Sequence, residues 1–398
     1  MCGARSNGGK SLVGLLVLLD AVQHGGRAVL LEPLRALARE KADELQRISK
    51  VVSAAIGTTF SVQISTGDYR LSDELMTDRP PDAPQLIVAT PERFDAILRN
   101  PEYSDWVSTI RAVCVDEAHL ISSPRRGPTL EYVVTTLLSL NAPPRIALLS
   151  ASMGEFSEAQ QWLSPCEVLS VTDRVPSLRK HVAAVGADED VNTIVIDAVA
   201  EQLKHNPDAS VLVFVYRTDS AESLANALSQ SFSSVCPGER ATAYHSRMSA
   251  EGRERIRQSF LAKQCRCVVT TTALAMGVNL PATHVIVRDV TFPGAGRLPI
   301  NDILQMIGRA GRGNCTGTSL IVCRENDPWD LAELSQAVRQ EPKPHLVSAL
   351  CRPSSRPEAT DSAETIASLV ANLLSRSRES GLTESEIRNF FEHSLGRK

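Results

Sequence analysis

Short aliphatic runs that end in small or polar residues recur along this chain, separated by stretches of helical spacing, and no other feature restricts its fold as much. In the first half the runs cover 28–32, 85–90, 112–116 and 145–150. Runs this brief and this continuously apolar read as parallel strands buried on both faces. Between them, 34–48 and 130–140 carry helical spacing, so strand and helix alternate as a doubly wound sheet requires. Turn-formers then gather at Pro165, Pro176 and Gly186, which puts a junction near residue 175. Alternation resumes with runs at 210–216, 241–245, 267–272, 284–288 and 318–323, interleaved with helices over 192–205, 221–231 and 250–262. The expected fold is α/β, with two tandem doubly wound parallel-sheet domains over 1–175 and 176–335. A third stretch, 336–398, holds a polar linker at 354–362 and helical segments at 363–378 and 384–394, the second opening with a capping box at Thr383 and Glu386.

Composition narrows the options. Apolar residues make up 43% of the chain and aromatics only 4%, so aliphatic strands must fill the core. Forty-two basic against 46 acidic residues give a formal charge of −4, which excludes a polycation that coats nucleic acid; any such contact is local. Nine scattered cysteines without paired CxxC motifs suit reduced thiols and make a zinc site unexpected. The apolar run 12–19 is too short to span a bilayer, so no membrane association is expected.

Three motifs carry chemistry. In the first, 4–11, a glycine-bearing turn runs straight into an amphipathic helix. Backbone amides around Ala4, Asn7, Gly8 and Gly9 would cradle phosphates, Lys10 would reach the β- and γ-phosphates, and the Ser11 hydroxyl would help hold Mg²⁺. Ala4 stands where the usual pattern has its first glycine, so taken alone the motif competes with a plain flexible loop. The second is an aliphatic strand that delivers Asp116 and Glu117 at its carboxyl end, where open α/β sheets bind their ligands. Asp116 suits a metal held through water, and Glu117 suits orienting or deprotonating the attacking water. An isolated Asp-Glu pair more often faces solvent, but the phosphate loop upstream reverses that preference. The third, Gln305-Met306-Ile307-Gly308-Arg309-Ala310-Gly311-Arg312, puts two arginines on one side of a turn beside glycines that clear the way for a ligand. Each helical glycine costs about 1 kcal/mol, so a basic surface face explains this sequence poorly.

With these motifs in order, the chain resembles a superfamily-two helicase of the DExH type, nearest the superkiller-like branch, over roughly residues 4–325. Asp116-Glu117-Ala118-His119 matches that family's Walker B box. The resemblance implies RecA-like domains, ATP with Mg²⁺ as cofactor, Ser11 and Asp116 as metal-holding residues, and Lys10, Asp116, Glu117, Gln305, Arg309 and Arg312 as the catalytic set. It implies that Gly277 and Asn279 border the nucleotide, and that Arg35, Thr66, Gly67, Thr90, Pro91, Thr271 and Thr272 grip nucleic acid through phosphates. It further implies that His119, Ser150 and Ser152 couple hydrolysis to domain movement. Hydroxyl and guanidinium donors at strand ends can grip phosphates without reading bases, which makes binding sequence-independent and salt-sensitive.

The expected activity is ATP-driven unwinding with 3′ to 5′ translocation on single-stranded or tailed duplex DNA or RNA, in an intracellular compartment, cytoplasmic or nuclear. Two alternatives stay open: a nucleic-acid-binding fragment without turnover, and a translocase that remodels protein–nucleic-acid complexes without unwinding. Two departures from the family pattern also matter. Only three residues precede Ala4, so the strand that feeds the phosphate loop is expected to be lacking, at about 1–3 kcal/mol for each ladder group left buried and unpaired. Residues 363–398 look like the start of a winged helix, so missing segments or a partner subunit are expected to complete the protein.

Overall fold

The computed structural model describes residues 2–4, 9–66, 84–124, 126–150, 157–171, 177–271, 280–292, 296–311, 316–342, 346–349, 367, 369–371, 373 and 382–396. The chain divides into two units, Met1–Thr172 with Lys343–Lys398, and Asp173–Pro342.

The first unit runs β1 (Cys2–Ala4), α1 (Lys10–Gln23), β2 (Arg27–Leu31), α2 (Arg35–Ile56), β3 (Ser61–Ser65), β4 (Gln85–Ala89), α3 (Pro91–Arg99), α4 (Ser104–Ser108), β5 (Ile110–Val115), α5 (Gly127–Leu138), β6 (Arg145–Ser150), α6 (Ser157–Trp162) and β7 (Leu169–Val171). Its strands form one sheet in the order β3-β4-β2-β5-β6-β1-β7, parallel throughout. Every residue of β2 and β4 is buried, because helices cover both faces there. Ala28, Leu30, Ala112 and Cys114 pack with Leu18 of α1 and Ala42 and Leu45 of α2. Their strand neighbours Val29, Leu31, Val113 and Val115 pack on the other face with Phe94 of α3 and Val133 and Leu137 of α5. This alternation decides which way the residues at the strand ends point.

The expectation of a lacking strand needs correction. Cys2–Ala4 forms a parallel stub between β6 and β7, with Cys2 opposite Leu149 and Leu169, Gly3 opposite Ser150 and Ser170, and Ala4 opposite Val171. The stub thus gives a partner to the last two residues of β6 and to all three of β7.

The chain's last part returns to this unit. The helix Glu384–Glu392 opens with the expected capping box, Thr383 accepting from the Glu386 amide and Glu386 accepting from that of Thr383. The expected helix over 363–378 lies largely outside the described residues. Leu346 and Leu395 join the core of α3 and α5, and the Phe390 ring lies 5.4 Å from that of Tyr132. Glu131, fully buried on α5, accepts hydrogen bonds from the Ser348 hydroxyl at 2.6 Å and the Gly396 amide at 2.9 Å.

Gly127, the first residue of α5, shows how tightly the acid-bearing turn is held. A Cβ there would run into the Ile121 carbonyl oxygen and lie 2.8 Å from the Ala349 Cβ. Gly127→Ala is expected to cost about 1–3 kcal/mol of stability through overpacking, read as a lower midpoint in urea unfolding. An unchanged midpoint would mean that the turn yields freely.

The second unit runs β8 (Leu178–Val185), α7 (Val191–His205), β9 (Val211–Val215), α8 (Thr218–Val235), β10 (Ala241–Tyr244), α9 (Ala250–Leu261), β11 (Cys267–Thr271), β12 (His284–Val287), β13 (Thr291–Phe292), β14 (Gly296–Arg297), α10 (Ile300–Ile307), β15 (Gly317–Arg324) and α11 (Leu331–Gln340). Six of these strands form a parallel sheet in the order β10-β11-β9-β12-β15-β8, and β13 and β14 form a separate antiparallel ribbon. β9 and β11 are buried at every position, so this unit also hangs on aliphatic central strands.

Candidate functional site

The first cluster forms where α1 meets the end of β5. Gly9 takes a left-handed conformation, φ 77°, as the amino-terminal cap of α1, and its carbonyl accepts from the amides of Leu12 and Val13. The cap makes no side-chain hydrogen bond and the first turn holds no acid, so the helix end keeps its positive character for an anion. Lys10 is half-buried and Ser11 exposed. Asn7 and Gly8 lie outside the described residues, and Ala4 is described only as backbone of β1.

Lys10 Nζ donates to Glu117 Oε1 at 3.0 Å and lies 3.7 Å from Asp116 Oδ1. Glu117 is itself left-handed, φ 50° and ψ 43°, which for a residue with a Cβ costs about 1–3 kcal/mol. The kink lets the Glu117 amide donate to Asp116 Oδ1 at 2.8 Å and turns the chain at once into the short helix Ala118–Ser122. His119 Nδ1 then sits 3.3 Å from Glu117 Oε2 and 3.4 Å from Ser150 Oγ at the end of β6. Lys10, Asp116, Glu117, His119 and Ser150 therefore form one connected group.

Their electrostatics follow from burial and pairing. Burial alone would depress the Lys10 ammonium, but Glu117 and then Asp116 outweigh it and raise its pKa. Burial pulls Glu117 upward, yet the Lys10 charge and the His119 hydrogen bond hold it well below the usual carboxylate range. Asp116 is raised, by burial first, with Lys10 opposing and Glu117 adding to the rise. The two adjacent acids are thus driven apart, one firmly ionised and the other more easily protonated, a pattern found where carboxylates take different roles.

A third acid, Glu32, escaped the sequence reading. It follows β2, is 2% exposed, and is pushed well above the carboxylate range by burial and then by Asp116. Its signal was present: two positions after Leu30, it continues the side of β2 that faces α1 and α2.

Of the residues expected to grip nucleic acid, Thr66 and Thr90 stand at strand ends of the first sheet. Thr66 follows β3 and Thr90 follows β4; both are buried, and the Thr90 amide donates to the Ser65 carbonyl. Pro91 opens α3 behind Thr90, whose side chain makes no capping bond to that helix. Arg35 is exposed at the first position of α2. Gly67 and Ser152 lie outside the described residues.

In the second unit, Gln305 lies half-buried on α10 and Arg309 follows it at 7% exposure. The Ala282 amide donates to the Arg309 carbonyl, and the Gly311 amide donates to the Ala282 carbonyl at 2.8 Å. Gly311 is left-handed, φ 67°, and a Cβ on Gly317 would approach its amide nitrogen to 2.5 Å. The arginine turn is thereby stitched to the start of β12 and of β15. Thr271 is buried at the end of β11, while Thr272, Gly277, Asn279 and Arg312 lie outside the described residues. Among the described residues no group of three or more His, Cys, Asp or Glu converges as a metal site, and no helix is long and apolar enough to cross a membrane.

Two regions of the chain match known families. Residues 1–160 match the DEAD/DEAH box helicase family and residues 194–314 the helicase conserved C-terminal domain. The chain is 29% identical over 409 residues to the ATP-dependent DNA helicase Hel308 of Methanocella arvoryzae, an alignment covering 90% of this chain and 53% of the relative. It is 30% identical over 363 residues to Hel308 of Pyrococcus horikoshii, covering 82% and 48%. The chain thus spans about half the length of the curated relatives it matches. Its fold is similar to that of Mycobacterium smegmatis helicase Lhr bound to ssDNA and AMP-PNP, with a TM-score of 0.72, 21% identity, and coverage of 99% of this chain and 51% of that one. It is also similar to S. cerevisiae Dbp5 bound to RNA and ADP BeF3, with a TM-score of 0.61, 18% identity, and coverage of 86% and 82%.

Proposed function

Because the chain belongs to the superfamily-two helicases, carrying their DEAD/DEAH box and carboxyl-terminal domains in tandem, we propose that it is an ATP-driven motor that translocates 3′ to 5′ on single-stranded nucleic acid and separates duplexes. The observation that carries this reading is the connected group of Lys10, Asp116, Glu117, His119 and Ser150 at the helix start and strand ends.

The residues present fit the cofactor. Gly9 and the first amides of α1 offer an anion site, and Lys10 supplies the cation that follows a triphosphate. Ser11 and Asp116 line one pocket and present hard oxygen donors of the kind Mg²⁺ takes. Mg²⁺, when bound, neutralises charge on the β- and γ-phosphates.

The chain's own residues do the rest. Lys10 leaves Glu117 for the phosphates, because a half-buried ammonium gains more from a triphosphate than from one carboxylate. Glu117 is then released from the pairing that holds it acidic, and it orients the attacking water and accepts its proton. His119 carries the change at Glu117 to Ser150, which couples hydrolysis to domain movement. Gln305, Arg309 and Arg312 act on the same nucleotide from the second domain, Arg309 and Arg312 stabilising charge on the transferring phosphoryl group. Gly277 and Asn279 border that nucleotide, and Arg35, Thr66, Gly67, Thr90, Pro91, Thr271 and Thr272 hold the strand by its phosphates.

A bound strand favours the hydrolysis-competent state. If that state makes up about 10% of the population without nucleic acid, ATP turnover rises about tenfold when single strands saturate the protein. Steady-state ATPase assays with and without an oligonucleotide, repeated at rising salt, read this directly. Turnover indifferent to strand and salt contradicts the motor, and unwinding of a 3′-tailed duplex separates it from a translocase that only displaces bound protein.

A further inference from the structure

β2 and β5 are parallel neighbours, with Leu30 opposite Cys114 and Leu31 opposite Val115. One step further along both strands stand Glu32 and Asp116. Leu30 and Cys114 share the core beneath α1 and α2, so the two acids that follow in the same register face that side together. Both line a small open pocket whose walls include Leu15, Leu18 and Leu149. Ser11 lines the same pocket.

Glu32 is 2% exposed, yet its carboxylate accepts no hydrogen bond and enters no ion pair among the described residues. The cations within reach are spent elsewhere: Lys41 pairs with Glu44 at 2.8 Å, and Lys10 with Glu117 at 3.0 Å. A buried carboxylate left without a partner is costly, and folds keep one where it coordinates a ligand or serves chemistry.

We infer that Glu32 is a further oxygen donor for a divalent cation, acting with Asp116 across the strand pair and with Ser11 from the start of α1. It rests on the motor reading only for its purpose, which is to hold the cation where the nucleotide's phosphates arrive. Two carboxylates and a hydroxyl are the kind of partial cage that Mg²⁺ accepts while keeping its waters for phosphate.

Manganese(II) takes the same oxygen ligands and is read directly by electron paramagnetic resonance. Titrated into the full chain without nucleotide, it is expected to bind in competition with Mg²⁺. Glu32→Gln, which keeps the shape and removes the charge, weakens uptake about tenfold or more. Glu32→Met, an apolar side chain of similar length, gives the same loss. Circular dichroism on the same samples shows that each variant is folded. Equal uptake by the Glu32 variants and the unaltered chain, or no uptake by the unaltered chain at millimolar manganese, overturns the inference. Fluorescent ADP titrated into the same samples reads the nucleotide site separately. Manganese uptake without ADP binding removes the motor reading and leaves the metal inference standing.

Discussion

The Glu117→Gln chain is expected to turn over ATP about 10²–10⁴-fold more slowly than the unaltered chain while still binding the nucleotide. In the structure Glu117 is held ionised by Lys10 at 3.0 Å and by His119 at 3.3 Å. A carboxylate so stabilised is a weak base, which suits a resting site that must not activate water before its substrate arrives. Lys10 is the switch, because the group that suppresses Glu117 is the same one that the triphosphate draws away. Glutamine keeps the left-handed turn and the volume but can neither take a proton nor pair fully with Lys10. Nucleotide affinity should therefore hold or rise, since Lys10 no longer has a competing carboxylate. Single-turnover hydrolysis together with fluorescent nucleotide binding separates the two effects. Loss of binding in parallel with turnover would show instead that Glu117 mainly holds the site together.

Arg309→Ala is expected to lower turnover by about 10³–10⁵-fold, the range found where an arginine stabilises a transferring phosphoryl group. Its backbone is fixed on both sides of Ala282, and Gly311 and Gly317 lie too close to admit a Cβ between the arginine turn and β15. Such a turn presents its guanidinium with little freedom left to lose. Arg309→Lys should recover little, because an ammonium cannot reproduce the planar fork that meets phosphate oxygens in pairs. Strand affinity measured by fluorescence anisotropy should stay near that of the unaltered chain. A large fall in strand affinity would place Arg309 in the nucleic-acid grip instead of the chemistry.

The parts of the fold that sequence showed are those where burial on both faces leaves an unbroken aliphatic run. Residues 28–32 and 85–90 read as strands for that reason; β4 lies within its run, and β2 is offset from its run by one residue. β3, with the sequence Ser-Val-Gln-Ile-Ser, sits at the sheet edge and is only half-buried, so its polar residues hid it. β8 lies at the edge of the second sheet and includes Arg179, Lys180 and His181, in a region that reads as a junction rich in turn-formers. The stub β1 is three residues long, too short for any periodicity to register. The candidate site divides along similar lines. Lys10, Asp116 and Glu117 stand in local motifs, and the structure brings them within 3.7 Å of one another. Glu32 belongs to no motif, and only the register of β2 against β5 shows that it stands beside Asp116. The seating of Ser348 and Gly396 on Glu131 is likewise a long-range match that no local pattern announces.

We propose that residues from both domains act on one triphosphate, and binding of ADP with aluminium fluoride, which imitates the transferring phosphoryl group, tests this. The unaltered chain is expected to bind this complex far more tightly than ADP alone, and Arg309→Ala to lose the added tightness while its affinity for ADP is unchanged. Equal affinity of the Arg309→Ala and unaltered chains for the aluminium fluoride complex would contradict it.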